Sequence, residues 1–197
     1  MVFKEVRAKV EKGWTTTKKL LAMMSVWGLF FSVITIGRLS VAFDYDDALV
    51  DSAKAYEKAA RSVTQRDSPT FWAALNNAYD LEAIKYVPFT LACALRGLGF
   101  RVVIMAERQG ADGDALKKEW RKLAPRSFLF TPDPAAKHLH MQEGHFVAFF
   151  GDSDQDMLEA KKVGVLGVRI KRGRHPVKHD PYAPGRMGEV VIPLSQF

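Results

Sequence analysis

Two tight groups of carboxylates carry the chemistry that can be read in this chain. One is Asp44-Tyr45-Asp46-Asp47, the other Gly151-Asp152-Ser153-Asp154-Gln155-Asp156. Each follows an apolar run, so each stands where a strand is expected to end. Carboxylates gathered at neighbouring strand ends repel one another unless a hard cation lies among them. Magnesium, which takes few carboxylates and keeps several waters, suits such a place. A calcium loop is the rival reading of Asp152-x-Asp154-x-Asp156. It fails because Met157 stands where the loop needs a glycine and Val163 where it needs a bidentate acid. The plain alternative is that these aspartates cap helices that follow strands.

The other candidates are weaker. His138, His140 and His145 are close in sequence, but no cysteine joins them and their spacing is not a zinc pattern, so they read as surface histidines. Cys93 is the single cysteine, which excludes an intrachain disulfide. It lies in the apolar run Thr90–Leu95 and reads as a buried, inert thiol. The formal charge of +7 is unevenly placed, with one basic cluster over residues 4–19 and another at Lys171, Arg172, Arg174 and Lys178. Such patches attract phosphates, acidic lipids or nucleic acid. No nucleic-acid recognition motif accompanies the second cluster, so a solvated loop that steers phosphate esters is the simpler account, and no nucleic acid is expected as a partner.

The elements that must position these groups follow from the hydrophobic pattern. Short apolar runs occur at Leu39–Phe43, Val102–Met105, Ser127–Phe130, Phe146–Phe150, Leu166–Ile170 and Val190–Ile192. Between them lie stretches of helical period such as Asp47–Val63, Pro69–Tyr79 and Asp154–Val163. Wholly apolar strands alternating with helices predict an α/β fold, a Rossmann-like, mostly parallel sheet flanked by helices on both faces. In such sheets the ligand lies beyond the carboxyl ends of the strands, where both acidic groups fall. The chain reads as one domain over residues 38–197 with an appendage over residues 1–37.

The appendage has a character of its own. Residues 20–37 carry no charge, close to the ~18 residues at which an apolar run becomes a membrane-helix candidate. A retained anchor is favoured over a cleaved signal peptide and over an ordinary buried helix. The expected strand begins directly after Gly37, so cleavage there would leave it no lead-in. Upstream, Phe3, Val6, Val10 and Trp14 recur at helical spacing among lysines, the pattern of a basic amphipathic helix on a membrane surface or of a helix packed on a neighbour. The charge bias would keep the N-terminus cytoplasmic and place the domain on the periplasmic or extracellular face, anchored or secreted.

Asp44-x-Asp46 after an apolar strand, a lysine before a later strand, and Gly151-Asp152-x-x-x-Asp156 after it resemble the motifs of the haloacid dehalogenase superfamily. Within it the chain resembles the class B acid phosphatases. The likeness rests on Phe43-Asp44-x-Asp46-Asp47, Phe71-Trp72 with Asn76-Asn77, Gly151-Asp152-Ser153-Asp154-x-Asp156, Gly167-Val168-Arg169-Ile170 and Gly188-Glu189-Val190-Val191-Ile192. It covers Leu39 to Phe197 and leaves residues 1–37 outside. The resemblance implies a magnesium-dependent phosphomonoester hydrolase in which Asp44 is the nucleophile, forming an aspartyl-phosphate, and Asp46 the acid and base. It implies that Asp44, Asp46 through its carbonyl, Asp152 and Asp156 hold the metal, and that Lys137 and Arg108 bind phosphate. Trp72, Tyr56 and Tyr182 would line a pocket for the leaving group, although core packing explains Trp72 equally well. A small phosphomonoester substrate and a homo-oligomer are also implied.

Two departures bear on activity. Ala48 stands where the family's first motif has threonine, and Ala106-Glu107-Arg108 replaces a hydroxyl-glycine-arginine second motif. Loss of one such donor commonly lowers rate by ~10²–10³. The alternative reading is therefore a catalytically impaired, phosphatase-derived binding or assembly protein attached to a membrane.

Overall fold

The computed structural model describes Trp14, residues 17–19, 21–29, Ser32 and 37–197. The chain divides into two units, Met1–Gly37 and Arg38–Phe197. In the first, residues 21–29 are helical and display Leu21, Met24, Val26 and Leu29 as exposed side chains. Among the described residues no helix is long and apolar enough to cross a membrane. Most of the remainder of the expected anchor over 20–37, and most of the expected basic helix upstream, lie outside the described residues.

The second unit is built on a six-stranded sheet, counted among the described residues, in the order β5-β4-β1-β6-β7-β8. The strands are β1 (Ser40–Asp44), β4 (Arg101–Ala106), β5 (Phe128–Phe130), β6 (Phe146–Gly151), β7 (Leu166–Arg169) and β8 (Val190–Val191), and every pairing is parallel. All six match the apolar runs of the sequence to within a residue or two at their ends. Side chains alternate across the pleat, as the two-residue strand period requires. Val41, Phe43, Val102 and Ile104 join one core cluster, and Ala42, Val103, Met105 and Phe149 the other. Both faces are therefore covered, and Phe43 stacks on Phe150 at 4.3 Å between ring centroids. From β1 the chain proceeds to β4 and β5 on one side and then crosses to β6, β7 and β8 on the other. The carboxyl end of β1, flanked by β4 and β6, is thus the place where the winding reverses and where a ligand crevice opens.

Residues 45–100 leave the sheet and return. A short antiparallel pair forms from β2 (Val50–Asp51) and β3 (Ala83–Ile84). Helices α1 (Ala53–Ser62) and α2 (Pro69–Asn76) pack together through Ala55, Ala59, Phe71 and Leu75, and α3 (Tyr86–Gly97) leads into β4. Ser68 caps α2 by accepting the Phe71 amide at 3.2 Å, with Pro69 in the first helical turn, a favoured start. The helix expected over Asp47–Val63 begins only at Ala53, because Asp47 adopts φ 62° and Tyr45 O accepts the amides of Leu49 and Val50 in a tight turn. An aspartate tolerates this left-handed conformation better than most side chains.

The expectation that Cys93 is buried is overturned: its side chain is exposed. Helix α3 turns Ala92 inward and the next residue out, because a 100° step separates neighbours on a helix. The remaining α-helices among the described residues are α4 (Asp114–Glu119), α5 (Lys137–Gln142) and α6 (Asp154–Lys162).

Candidate active site

Asp44 is the last residue of β1 and pairs in register with Met105, while its neighbour Phe43 pairs with Phe150 on the other side. That register sets Asp44 beside the end of β6, with Asp152 just past Gly151. Asp44, Asp152 and Asp156 are fully buried, and each offers one carboxylate oxygen within 4.8 Å of the others. The two acidic groups of the sequence are therefore one site.

Asp156 owes its place to a reciprocal helix cap. Ser153 Oγ accepts the Asp156 amide at 3.0 Å and Asp156 Oδ2 accepts the Ser153 amide at 3.1 Å, which starts α6. The residue at the cap position is Ser153 and not an aspartate, and Asp156 both closes the cap and lies in the carboxylate cluster. Gly151 permits the fit, since a Cβ there would lie 2.5 Å from Asp156. Asp154 is diverted to scaffolding: it accepts from Arg169 Nη2 at 2.7 Å and from the Ala183 amide at 3.0 Å.

Lys137, the first residue of α5, sends a fully buried ammonium into the cluster. Its Nζ donates to Asp44 Oδ1 at 2.7 Å, Asp156 Oδ1 at 2.6 Å and Glu107 Oε1 at 2.5 Å. Burial opposes the charge, but Asp156 and Asp44 outweigh it and hold Lys137 above the ordinary lysine range. In return Asp156, despite its burial, is pulled down to about 2 by Lys137 and Lys178. Asp152 moves the other way, pushed up to about 8 by burial and by the charges of Asp44 and Asp156, against the pull of Lys178 and Arg172.

Lys178 and Arg172 reach the carboxylates although the sequence does not single them out as site residues. The stretch Lys171–Lys178 was expected to be a solvated loop, yet Lys178 is buried. Its Nζ lies 2.6 Å from Asp44 Oδ2, 3.2 Å from Glu107 Oε2 and 3.6 Å from Asp152 Oδ1. Arg172 Nε donates to Asp152 Oδ2 at 2.5 Å. The anchor for this loop is Asp47, whose Oδ2 accepts the amides of Val177 and Lys178, both at 2.9 Å. Burial outweighs those bonds and raises the Asp47 carboxyl to about 6. Nothing in the spacing of a long loop marks which of its lysines will turn inward. The one available signal was the density of basic residues itself.

Asp46, also fully buried, points to a different set of partners. Arg108 Nε donates to its Oδ2 at 2.9 Å, Arg108 Nη2 to its Oδ1 at 2.5 Å, and the Ser52 hydroxyl donates to the same Oδ1. Although burial opposes it, the Arg108 guanidinium holds the Asp46 carboxyl below its usual range. Arg108 also donates to Glu82 at 2.6 Å and lies over the rings of Tyr45 and Tyr56 at 4.9 and 5.7 Å. Its Nη1 is buried and has no hydrogen-bond partner among the described residues.

The aromatic candidates are dispersed. Tyr56 and Phe71 line a cleft of about 600 Å³ together with Arg61, Arg66, Val177 and His179. Trp72 packs edge-on against Phe71, and Tyr182 lies under Arg172 with its hydroxyl accepting the Arg172 amide. Ala48 and Ala106 are both buried in the core cluster on the Phe43 face of the sheet. Of the histidines, His138 is half-buried with Nδ1 2.6 Å from Glu159, and His145 is exposed.

The donor set suits a hard divalent cation: all its members are carboxylate oxygens, and Asp152 Oδ1 is a buried oxygen without a hydrogen-bond partner among the described residues. Lys178 is the internal cation that shares these oxygens.

No protein-family model matches the chain. Its sequence is similar to the class B acid phosphatase of Enterobacter sp. strain 638, 24% identical over 174 residues that cover 81% of this chain and 73% of the relative. The class B acid phosphatase of Salmonella typhimurium is 25% identical over the same span and coverage. In fold the chain is similar to CbbY from Rhodobacter sphaeroides, solved in complex with phosphate, with a TM-score of 0.55 and 12% identity over 81% of this chain and 95% of that one. By motif, sequence and sheet topology together, the chain resembles the class B acid phosphatases of the haloacid dehalogenase superfamily.

Proposed function

We propose that the protein is a phosphomonoesterase that attacks its substrate with Asp44. The observation that carries this reading is the grouping of Asp44, Asp152 and Asp156 at the ends of β1 and β6, with the Lys137 ammonium on Asp44 and Asp156. Asp44 Oδ1 and Oδ2 lie on Lys137 and Lys178, which orient the carboxylate and would neutralise a phosphoryl group arriving over it. Attack by a carboxylate oxygen of Asp44 on phosphorus expels the alcohol and leaves an aspartyl-phosphate, which water then hydrolyses to inorganic phosphate and the restored aspartate. A magnesium ion held by Asp44 and Asp152, with the Asp46 carbonyl and with Asp156 in support, would spread the negative charge of the transferring group.

Asp46 is the acid and base of this scheme. Arg108 and Ser52 favour its ionised form, which is the form that takes a proton from the attacking water. Protonation of the leaving oxygen requires Asp46 to enter the first step protonated, so the Arg108 pair favours the second half of the cycle. Arg108 Nη1 is the donor left for a phosphoryl oxygen. The cleft at Tyr56 and Phe71 is the place for the leaving group, since Tyr56 also lies under the Arg108 guanidinium. We infer further that residues 20–37 attach the protein to a membrane from the periplasmic or extracellular face, and that the catalytic unit assembles as a homo-oligomer. The uncharged helical stretch over 21–29 with its exposed apolar side chains supports the attachment.

The test is hydrolysis of p-nitrophenyl phosphate with and without magnesium, beside Asp44→Asn. Magnesium-dependent release that Asp44→Asn abolishes supports the enzyme. No release from folded, magnesium-loaded protein would overturn it in favour of a phosphatase-derived binding or assembly protein, for which Ala48 and Ala106 are the motivation.

A further inference from the structure

Glu107 has no part in the chemistry above, yet it sits inside the machinery. Its Oε1 lies 2.5 Å from Lys137 Nζ and its Oε2 3.2 Å from Lys178 Nζ, and both lysines are also on Asp44. An ammonium has three protons to donate. Lys137 spends them on Asp44, Asp156 and Glu107, so a phosphoryl oxygen can bond to Lys137 only if one of these acceptors withdraws. Asp44 is fixed at a strand end, and Asp156 is fixed by the Ser153 cap. Glu107 follows β4 in a loop, and among the described residues its carboxylate accepts from the two lysines alone. Its side chain is 12% exposed where those of Asp44, Asp156 and Lys137 are 0%, which places it on the open side of the cluster.

A carboxylate held between two ammonium groups beside a buried acid is the arrangement that a bound phosphate monoester would create. We propose that Glu107 occupies the anion position of the resting site, and that a phosphoryl group reaches Asp44 only by displacing it from Lys137 and Lys178. Glu107 is then a specificity-determining residue. A dianionic phosphoryl group competes for two lysines better than a singly charged ester does, and neutral esters have no means of entry. The proposal deepens the phosphomonoesterase reading and rests on it.

Binding of inorganic phosphate, measured calorimetrically in the presence of magnesium, tests it without any turnover. Glu107→Gln keeps the shape and removes the charge, Glu107→Gly removes the side chain, and Glu143→Gln makes the same change of net charge at an exposed position away from the site. The expected result is that both Glu107 variants bind phosphate at least tenfold more tightly than wild type, while Glu143→Gln binds as wild type does. Equal or weaker binding by Glu107→Gln, or equal tightening by Glu143→Gln, would overturn the proposal and leave the phosphate site standing. Absence of phosphate binding by every protein, in samples shown to be folded, would overturn both the proposal and the reading beneath it.

Discussion

Replacing Arg108 with methionine isolates the electrostatics that hold the second acid of the site. The side chain is fully buried, and methionine preserves much of its packing against Tyr45 and Tyr56. What is lost is the cation that bridges Asp46 and Glu82 through bonds of 2.5–2.9 Å. Breaking a buried pair by removing one partner costs about 3–5 kcal/mol, because the other charge stays buried without compensation. With a urea slope of about 2 kcal/mol per molar, the unfolding midpoint at pH 7.5 should fall by roughly 1.5–2.5 M. The loss should shrink in acid. In the wild type Asp46 is held below its unfolded value, so its contribution persists down to the unfolded carboxylate range and is lost only as the pH falls through the folded value. In the variant, Asp46 and Glu82 are buried without their cation: the folded pKa of Asp46 rises above its unfolded value, and that of Glu82, which burial already holds above it, rises further. The variant therefore regains stability as protons bind, at about 1.4 kcal/mol per unit of pKa shift. Urea unfolding followed by tryptophan fluorescence at pH 7.5 and pH 5.0 reads both effects. A midpoint loss below about 0.5 M at pH 7.5, or a loss equal at the two pH values, would refute the assignment of Arg108 as the partner that keeps Asp46 ionised.

Magnesium should raise the thermal midpoint of the wild type, by roughly 5–10 °C when the ion stands at about 100 times its dissociation constant, and should leave Asp152→Asn unmoved. Equal shifts in a thermal melt of both proteins would remove Asp152 from the metal site. The exposed Cys93 should react with a chromogenic disulfide reagent in the folded state, releasing one equivalent of thiolate without denaturant, and a need for urea would restore the buried reading.

The parallel sheet was legible because its strands are buried on both faces and so read as continuous apolar runs, whereas the antiparallel pair of β2 and β3 is too short to leave a pattern. The start of α1 was misplaced because the turn at Asp47, with φ 62°, interrupts a stretch whose composition suits a helix. Cys93 was misjudged from the run Thr90–Leu95, since apolar composition does not say which side of a helix faces the core. Asp44, Asp46, Asp152 and Asp156 could be singled out as candidates because each lies within two residues of a strand end or caps the helix that follows, and the structure gathers three of them, Asp44, Asp152 and Asp156. At a strand end or a cap the chain itself fixes the position. Lys178, Arg172 and Glu82 escaped because they reach the site from long connections.

The amino-acid order alone therefore determined which strands form the parallel sheet, where they end to within a residue or two and which carboxylates stand at those ends, all of which are local consequences of apolar periodicity and of caps. The tertiary structure alone decided the charge balance over those carboxylates. It brought Lys178 134 residues along the chain onto Asp44, turned Arg108 onto Asp46, and set Glu107 between two ammonium groups. Coulomb interactions act through space and not along the chain, so the partners of a buried charge are settled only when the sheet has ordered its strands and the loops have closed over their ends.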